Sequence, residues 1–152
     1  MHAQEYTALT GEIERVEEKL MVWHRSDECS QRLAKIPAVG PISASLLMMK
    51  TPDPRLFKSG RDFAAWMGLT PRNHSTAGKA KLGAITRAGD EPLRVALVVG
   101  ATAVLRHVRQ SQGKNASPWL LDIIQRKPPK LVAVALANKV ARIAWKLMVS
   151  GE

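Results

Sequence analysis

The sequence predicts a mainly α-helical protein: a helical arm, then a compact helical domain with a helix–hairpin–helix-like unit and one irregular, glycine-rich basic loop. Three observations predict it. Apolar residues recur at steps of three and four through most of the 152 residues, the period of helices that bury one face. Residues that cap helix starts (Ser26 or Asp27, Ser59, Asp90, Ser117) stand just before those periodic runs. One stretch, residues 68–90, loses the period and carries glycines at 68, 78, 83 and 89.

The arm comes first, over residues 1–29. Leu9, Ile13, Val16, Leu20 and Trp23 are spaced by 4, 3, 4 and 3 residues, a heptad seam that Tyr6 extends. Such a seam pairs with another arm or packs on the chain's own helices, and its length fits both. The domain follows over residues 30–150. A helix runs towards Lys35, then Ile36-Pro37-Ala38-Val39-Gly40-Pro41 makes a tight turn into the apolar run 42–49. In a helix–hairpin–helix unit this hairpin offers backbone N–H groups to a phosphate, here at Gly40. An αα-hairpin that serves only the core has the same pattern. The usual first glycine is replaced by Ala38.

Thr51-Pro52-Asp53-Pro54 is a turn, and a short helix from Ser59 or Gly60 to Trp66 ends at Gly68. In the loop that follows, the part over 79–87 has room for a short β-ribbon, but its glycines favour mostly irregular backbone. Asp90-Glu91-Pro92 opens a helix that buries Leu93, Leu97, Ala101, Val104 and Val108. Ser117-Pro118 starts a short helix, and 126–130 is a basic, stiff connector. The last helix spans 131–149, with Val134, Asn138, Ala141, Trp145 and Met148 along one stripe.

Charge placement narrows the function. The net charge is +10, yet residues 1–50 hold 6 Lys/Arg and 7 Asp/Glu, whereas 51–152 hold 17 and 6. A domain so basic suits a polyanion, and nucleic acid first among them. No apolar run matches a bilayer span, and the N-terminus lacks a signal-peptide pattern, so no membrane partner is expected. The single Cys29 allows no internal disulfide and points to a reducing, cytoplasmic setting.

The loop holds the candidate chemistry. Ser75 and Thr76 are adjacent hydroxyls beside His74, among Arg72, Lys79, Lys81 and Arg87, with Arg94 beyond and no acid until Asp90. A hydroxyl attacks a phosphodiester when its proton is taken and the phosphate charge is neutralised. Hydrogen bonding to their own turn would also account for Ser75 and Thr76. Arg72, His74, Lys79, Lys81, Arg87, Arg94 and Gly40 are the candidate DNA-binding residues. Ala77-Gly78-Lys79 ends like a P-loop, but Asn73 stands where that motif needs glycine and Ala80 where it needs Ser or Thr, which excludes an NTPase. The carboxylates are scattered over turns and helix starts, the four histidines lack ligand spacing, and no metal site or cofactor is expected in this chain.

The ordered landmarks carry a resemblance. They are Ile36 to Ile42, then Phe57-Lys58-Ser59-Gly60-Arg61-Asp62-Phe63-Ala64-Ala65-Trp66, then Gly68-Leu69-Thr70-Pro71-Arg72. His74-Ser75-Thr76, Gly78-Lys79, Leu82-Gly83, Gly89-Asp90 and Leu93-Arg94 complete them. Over residues 30–148 the chain resembles the C-terminal domain of the insertion-sequence transposases with a DEDD catalytic domain, also called bridge recombinases. The arm is similar to that family's coiled-coil connector. The resemblance implies DNA transposition, a serine that links covalently to DNA and a structured guide RNA, and the arm's heptad seam predicts homo-oligomers. It places divalent metal on an acidic RNase H-like N-terminal domain, so this chain is expected to be a truncated, inactive part of a bacterial, nucleoid-associated enzyme. The family serine is often followed by glycine, whereas here Thr76-Ala77 holds that register and Ser75 lies one position earlier. The nucleophile is Ser75 if a serine is required and Thr76 if register decides, with Ser75 preferred. The alternative is a basic helical module that grips DNA or RNA without chemistry.

Overall fold

Four helix starts read from the sequence are side-chain caps in the computed structural model, which describes residues 1–74, 76–79 and 81–151. Asp27 accepts from the Ser30 amide at 2.6 Å and opens α2 (Glu28–Leu33). Ser59 opens α4 (Gly60–Trp66), Asp90 opens α5 (Glu91–Gln110), and Ser117 opens α6 (Pro118–Arg126). Each satisfies one amide that the first helical turn leaves without a partner. The remaining helices are α1 (His2–Ser26), α3 (Pro41–Lys50) and α7 (Pro129–Ser150), the last two with proline in the first turn. A 3₁₀ turn at Pro54–Leu56 follows α3.

The core lies between α5 and α7, with α4 on α7 and α3 on α5. Leu93, Leu97, Ala101 and Val108 are buried as the period of α5 requires, and Val104 is half-buried. On α7 the buried face only partly follows the expected stripe. Val132, Ala133, Leu136, Ala137, Val140, Ala141 and Ala144 are buried, Ala141 as the stripe requires, whereas Val134, Asn138, Trp145 and Met148 are half-buried. Asn138 and Trp145 face the preceding elements instead. The Asn138 amide donates to the Leu69 carbonyl at 3.0 Å, and the Trp145 indole N–H donates to the Pro54 carbonyl at 2.9 Å. Alanines let α5 approach closely, so the deepest face is the one with small side chains.

The hairpin between α2 and α3 leans on α5. Ala38 has φ +74, the conformation for which glycine is usual, and its carbonyl lies where a Cβ on Gly100 would come within 2.0 Å. At the other end of α3, Lys50 reaches Asp90 at 3.1 Å. These two ties run α3 antiparallel to α5.

The lower end of the arm packs on α2 and α3, where buried His24 Nδ1 meets Ser30 Oγ at 2.7 Å. Higher up, Tyr6, Leu9, Ile13 and Val16 are exposed, so the chain's own helices do not cover that part of the seam.

Candidate nucleic-acid interface

The stretch expected to be mostly irregular is a two-stranded antiparallel ribbon that carries the predicted basic residues. Strand β1 (Pro71–Asn73) pairs with β2 (Leu82–Ile85), with Pro71 opposite Ile85 and Asn73 opposite Leu82. The reason lies at the tip. Thr76 and Lys79 form a bridge, and Ala77 and Gly78 between them have φ +51 and +82. Two positive φ values in a two-residue loop are what a type I′ hairpin turn needs, because they match the twist of the strands. Ala77 carries this at a cost of roughly 1–2 kcal/mol, where glycine would carry none.

The foot of the ribbon is pinned on all sides. Gly68 has φ +74, and a Cβ there would lie 2.2 Å from the Ala88 carbonyl oxygen. Gly89 has φ +107, and its Cβ would lie 1.7 Å from the Trp66 carbonyl oxygen. The backbones entering and leaving the ribbon therefore touch without side chains between them. The Leu69 amide donates to the Ala64 carbonyl on α4, and Asn138 on α7 holds the Leu69 carbonyl.

Arg94 completes the foot, which corrects its expected role. It is 9% exposed, and its guanidinium donates to the Met67 carbonyl at 3.1 Å, so it braces the loop from beneath instead of presenting a cation to a phosphate. The other predicted binding residues of the ribbon, Arg72, His74, Lys79, Lys81 and Arg87, are exposed. The His74 ring lies over Gly83, where a Cβ would come within 3.0 Å of it. Arg72 also donates to the Thr86 carbonyl at 3.3 Å. Thr76 is exposed, and Ser75 lies outside the described residues.

Gly40 is not part of this cluster. It is the exposed N-cap of α3, and the ribbon's foot meets the far end of that 10-residue helix, about 15 Å away at 1.5 Å per residue. The first acid after the loop, Asp90, is engaged by Lys50 and by the Leu93 amide. Among the described residues no three His, Cys, Asp or Glu side chains converge. Burial, with a smaller push from the Asp27 charge, raises the Cys29 thiol above its usual range, away from a reactive thiolate. No helix is long and apolar enough to cross a membrane among the described residues.

A ribbon of this kind, with a fixed foot and an exposed cationic tip, has the width of structures that enter the major groove. A sequence profile described as the transposase IS116/IS110/IS902 family matches residues 30–116, more than half of the chain. The chain belongs to that family. It is 69% identical over its full 152 residues to a putative transposase, y4pF/y4sB, of Sinorhizobium fredii, covering 39% of that protein. It is 45% identical over 144 residues to a probable family 20 transposase of Pseudomonas aeruginosa, covering 42% of it. It is 41% identical over 148 residues to the transposase for insertion sequence element IS1328 of Yersinia enterocolitica, covering 44% of it. The chain thus spans about two fifths of the length of these curated relatives.

Proposed function

We propose that this chain is the DNA-engaging, serine-bearing part of an insertion-sequence transposase. Residues 1–29 serve as a connector arm and 30–150 as the domain that meets DNA. The observation that carries the reading is the ribbon: four exposed Lys/Arg and the exposed Thr76, which Ser75 precedes in the sequence, free of acids, on a foot locked to three helices. Its cations draw a phosphodiester to the tip. There a hydroxyl oxygen attacks phosphorus, its proton leaves to a base, and the P–O bond to the displaced deoxyribose oxygen breaks as that oxygen takes up a proton. Lys79 and Lys81 stabilise the charge that builds on the non-bridging oxygens. The resemblance implies divalent metal on an acidic domain outside these residues, and the roles proposed for this chain are binding, attack and charge stabilisation.

Binding tests the electrostatic part. If Arg72, Lys79, Lys81 and Arg87 each meet a phosphate of duplex DNA, log affinity falls against log salt with a slope of roughly −3 to −4. Lys79→Gln with Lys81→Gln is expected to flatten that slope by about 2. Affinity that stays constant between about 50 and 200 mM salt would remove the basis for this reading.

The arm is proposed to bring copies of the chain together through its uncovered seam. Ile13 is exposed in the middle of it. Sedimentation of the parent chain should show a species larger than a monomer, and Ile13→Glu should shift it to the monomer. A parent chain that already sediments as a monomer counts against an arm interface.

A further inference from the structure

We propose that the groove over the solvent side of α7 holds an unpaired strand of nucleic acid, an inference that rests on the nucleic-acid reading above. Two adjoining hollows of about 770 and 650 Å³ make the groove, and they share Trp119, Lys139 and Ile143. Val104, Leu136 and Val140 give the first hollow an apolar floor, and no Asp or Glu lines either one among the described residues.

The charge on the rim comes from α7, which has four Lys/Arg and no acid in its 22 residues. Lys139, Arg142 and Lys146 follow one another at steps of three and four, which puts them on one face of the helix. No ion pair engages them among the described residues. Lys139 Nζ sits 4.0 Å from the Trp119 ring centroid, so a cation and an indole stand together at the middle of the groove.

An apolar floor with a cationic rim separates unpaired strands from duplexes. A duplex keeps its bases stacked inside and offers only phosphates to a groove of this size. An unpaired strand lays bases against the floor and the indole while its phosphates meet the rim. The groove also leads to the ribbon. Asn138 lines the second hollow, and its amide holds the Leu69 carbonyl at the ribbon's foot. Gly40, separated from the ribbon by the length of α3, lines the first hollow.

The test uses the full 152-residue chain, a labelled oligothymidylate and a labelled mixed-sequence duplex. Arg142→Gln with Lys146→Gln should weaken oligothymidylate binding about tenfold or more and reduce its salt slope by about 1.4, the loss of two phosphate contacts. Duplex affinity should change less than about twofold, and Lys79→Gln with Lys81→Gln should show the opposite preference. Oligothymidylate should also quench the indole emission of the unaltered chain, and Trp119→Phe should reduce that quench, leaving the part due to Trp145 in the second hollow. The proposal is overturned if the α7 variants weaken both ligands equally or leave oligothymidylate binding unchanged, or if no quench occurs. Duplex binding without oligothymidylate binding defeats the groove alone. Binding of neither defeats the nucleic-acid reading as well.

Discussion

Gly89→Ala is expected to destabilise the chain by about 3 kcal/mol or more, a fall in melting temperature of about 6–12 °C for a domain of this size. The added Cβ would sit 1.7 Å from the Trp66 carbonyl oxygen and 2.8 Å from its carbon, and both are backbone atoms that cannot rotate away. At φ +107 the residue is also outside the region that a side chain tolerates. Gly78→Ala is the matched control. It has φ +82 but nothing within 4 Å of its Cβ, so it should cost about 1 kcal/mol, from strain alone. Thermal melting followed by circular dichroism separates the two. Equal melting temperatures for both variants would mean that the two strands do not touch at the foot. The consequence is functional as well as structural, because the foot fixes where the cations of the tip point.

The helical order of the chain can be read from its sequence because each start has a local cause. Asp27, Ser59, Asp90 and Ser117 each act on the amide three residues on, and such short-range bonds leave a pattern that needs no knowledge of the fold. The ribbon was harder to read for the opposite reason. Its register depends on a positive φ at Ala77, a residue type that does not advertise that conformation, and on glycines 68 and 89 meeting each other's neighbouring backbone across 20 residues of sequence. The inward turn of Arg94 is equally non-local, since only the fold brings the Met67 carbonyl to its guanidinium. On α7 the alanines carry little hydrophobic signal, so of the expected stripe only Ala141 is fully buried, and the half-buried Trp145 lies beside the deepest face. The groove has no local signature in the sequence because its rim, floor and indole come from three separate helices, α5, α6 and α7.

Ser75→Ala is expected to abolish the covalent protein–DNA adduct in a full-length transposase built around this chain and supplied with the guide RNA that the resemblance implies, a loss of at least about 10³-fold. The argument starts from the neighbours that the structure describes. His74 and Thr76 are both exposed, and the Thr76–Lys79 bridge closes the turn at Thr76, which follows Ser75 in the sequence. Arg72, Lys79 and Lys81 supply positive charge on the same ribbon, where negative charge grows on the non-bridging oxygens during attack. A hydroxyl contributes at most about 1 kcal/mol to binding, so DNA affinity should shift by no more than about fivefold while the adduct disappears. That split between binding and chemistry distinguishes a nucleophile from a residue that only shapes the turn. Thr76→Ala should lower adduct formation by less than about tenfold if Ser75 attacks. The reverse ranking moves the attacking oxygen to Thr76, the position that keeps the family's register beside the strained Ala77. A double variant that still forms the adduct at the parent level would eliminate hydroxyl attack from this ribbon and leave it as a DNA grip alone.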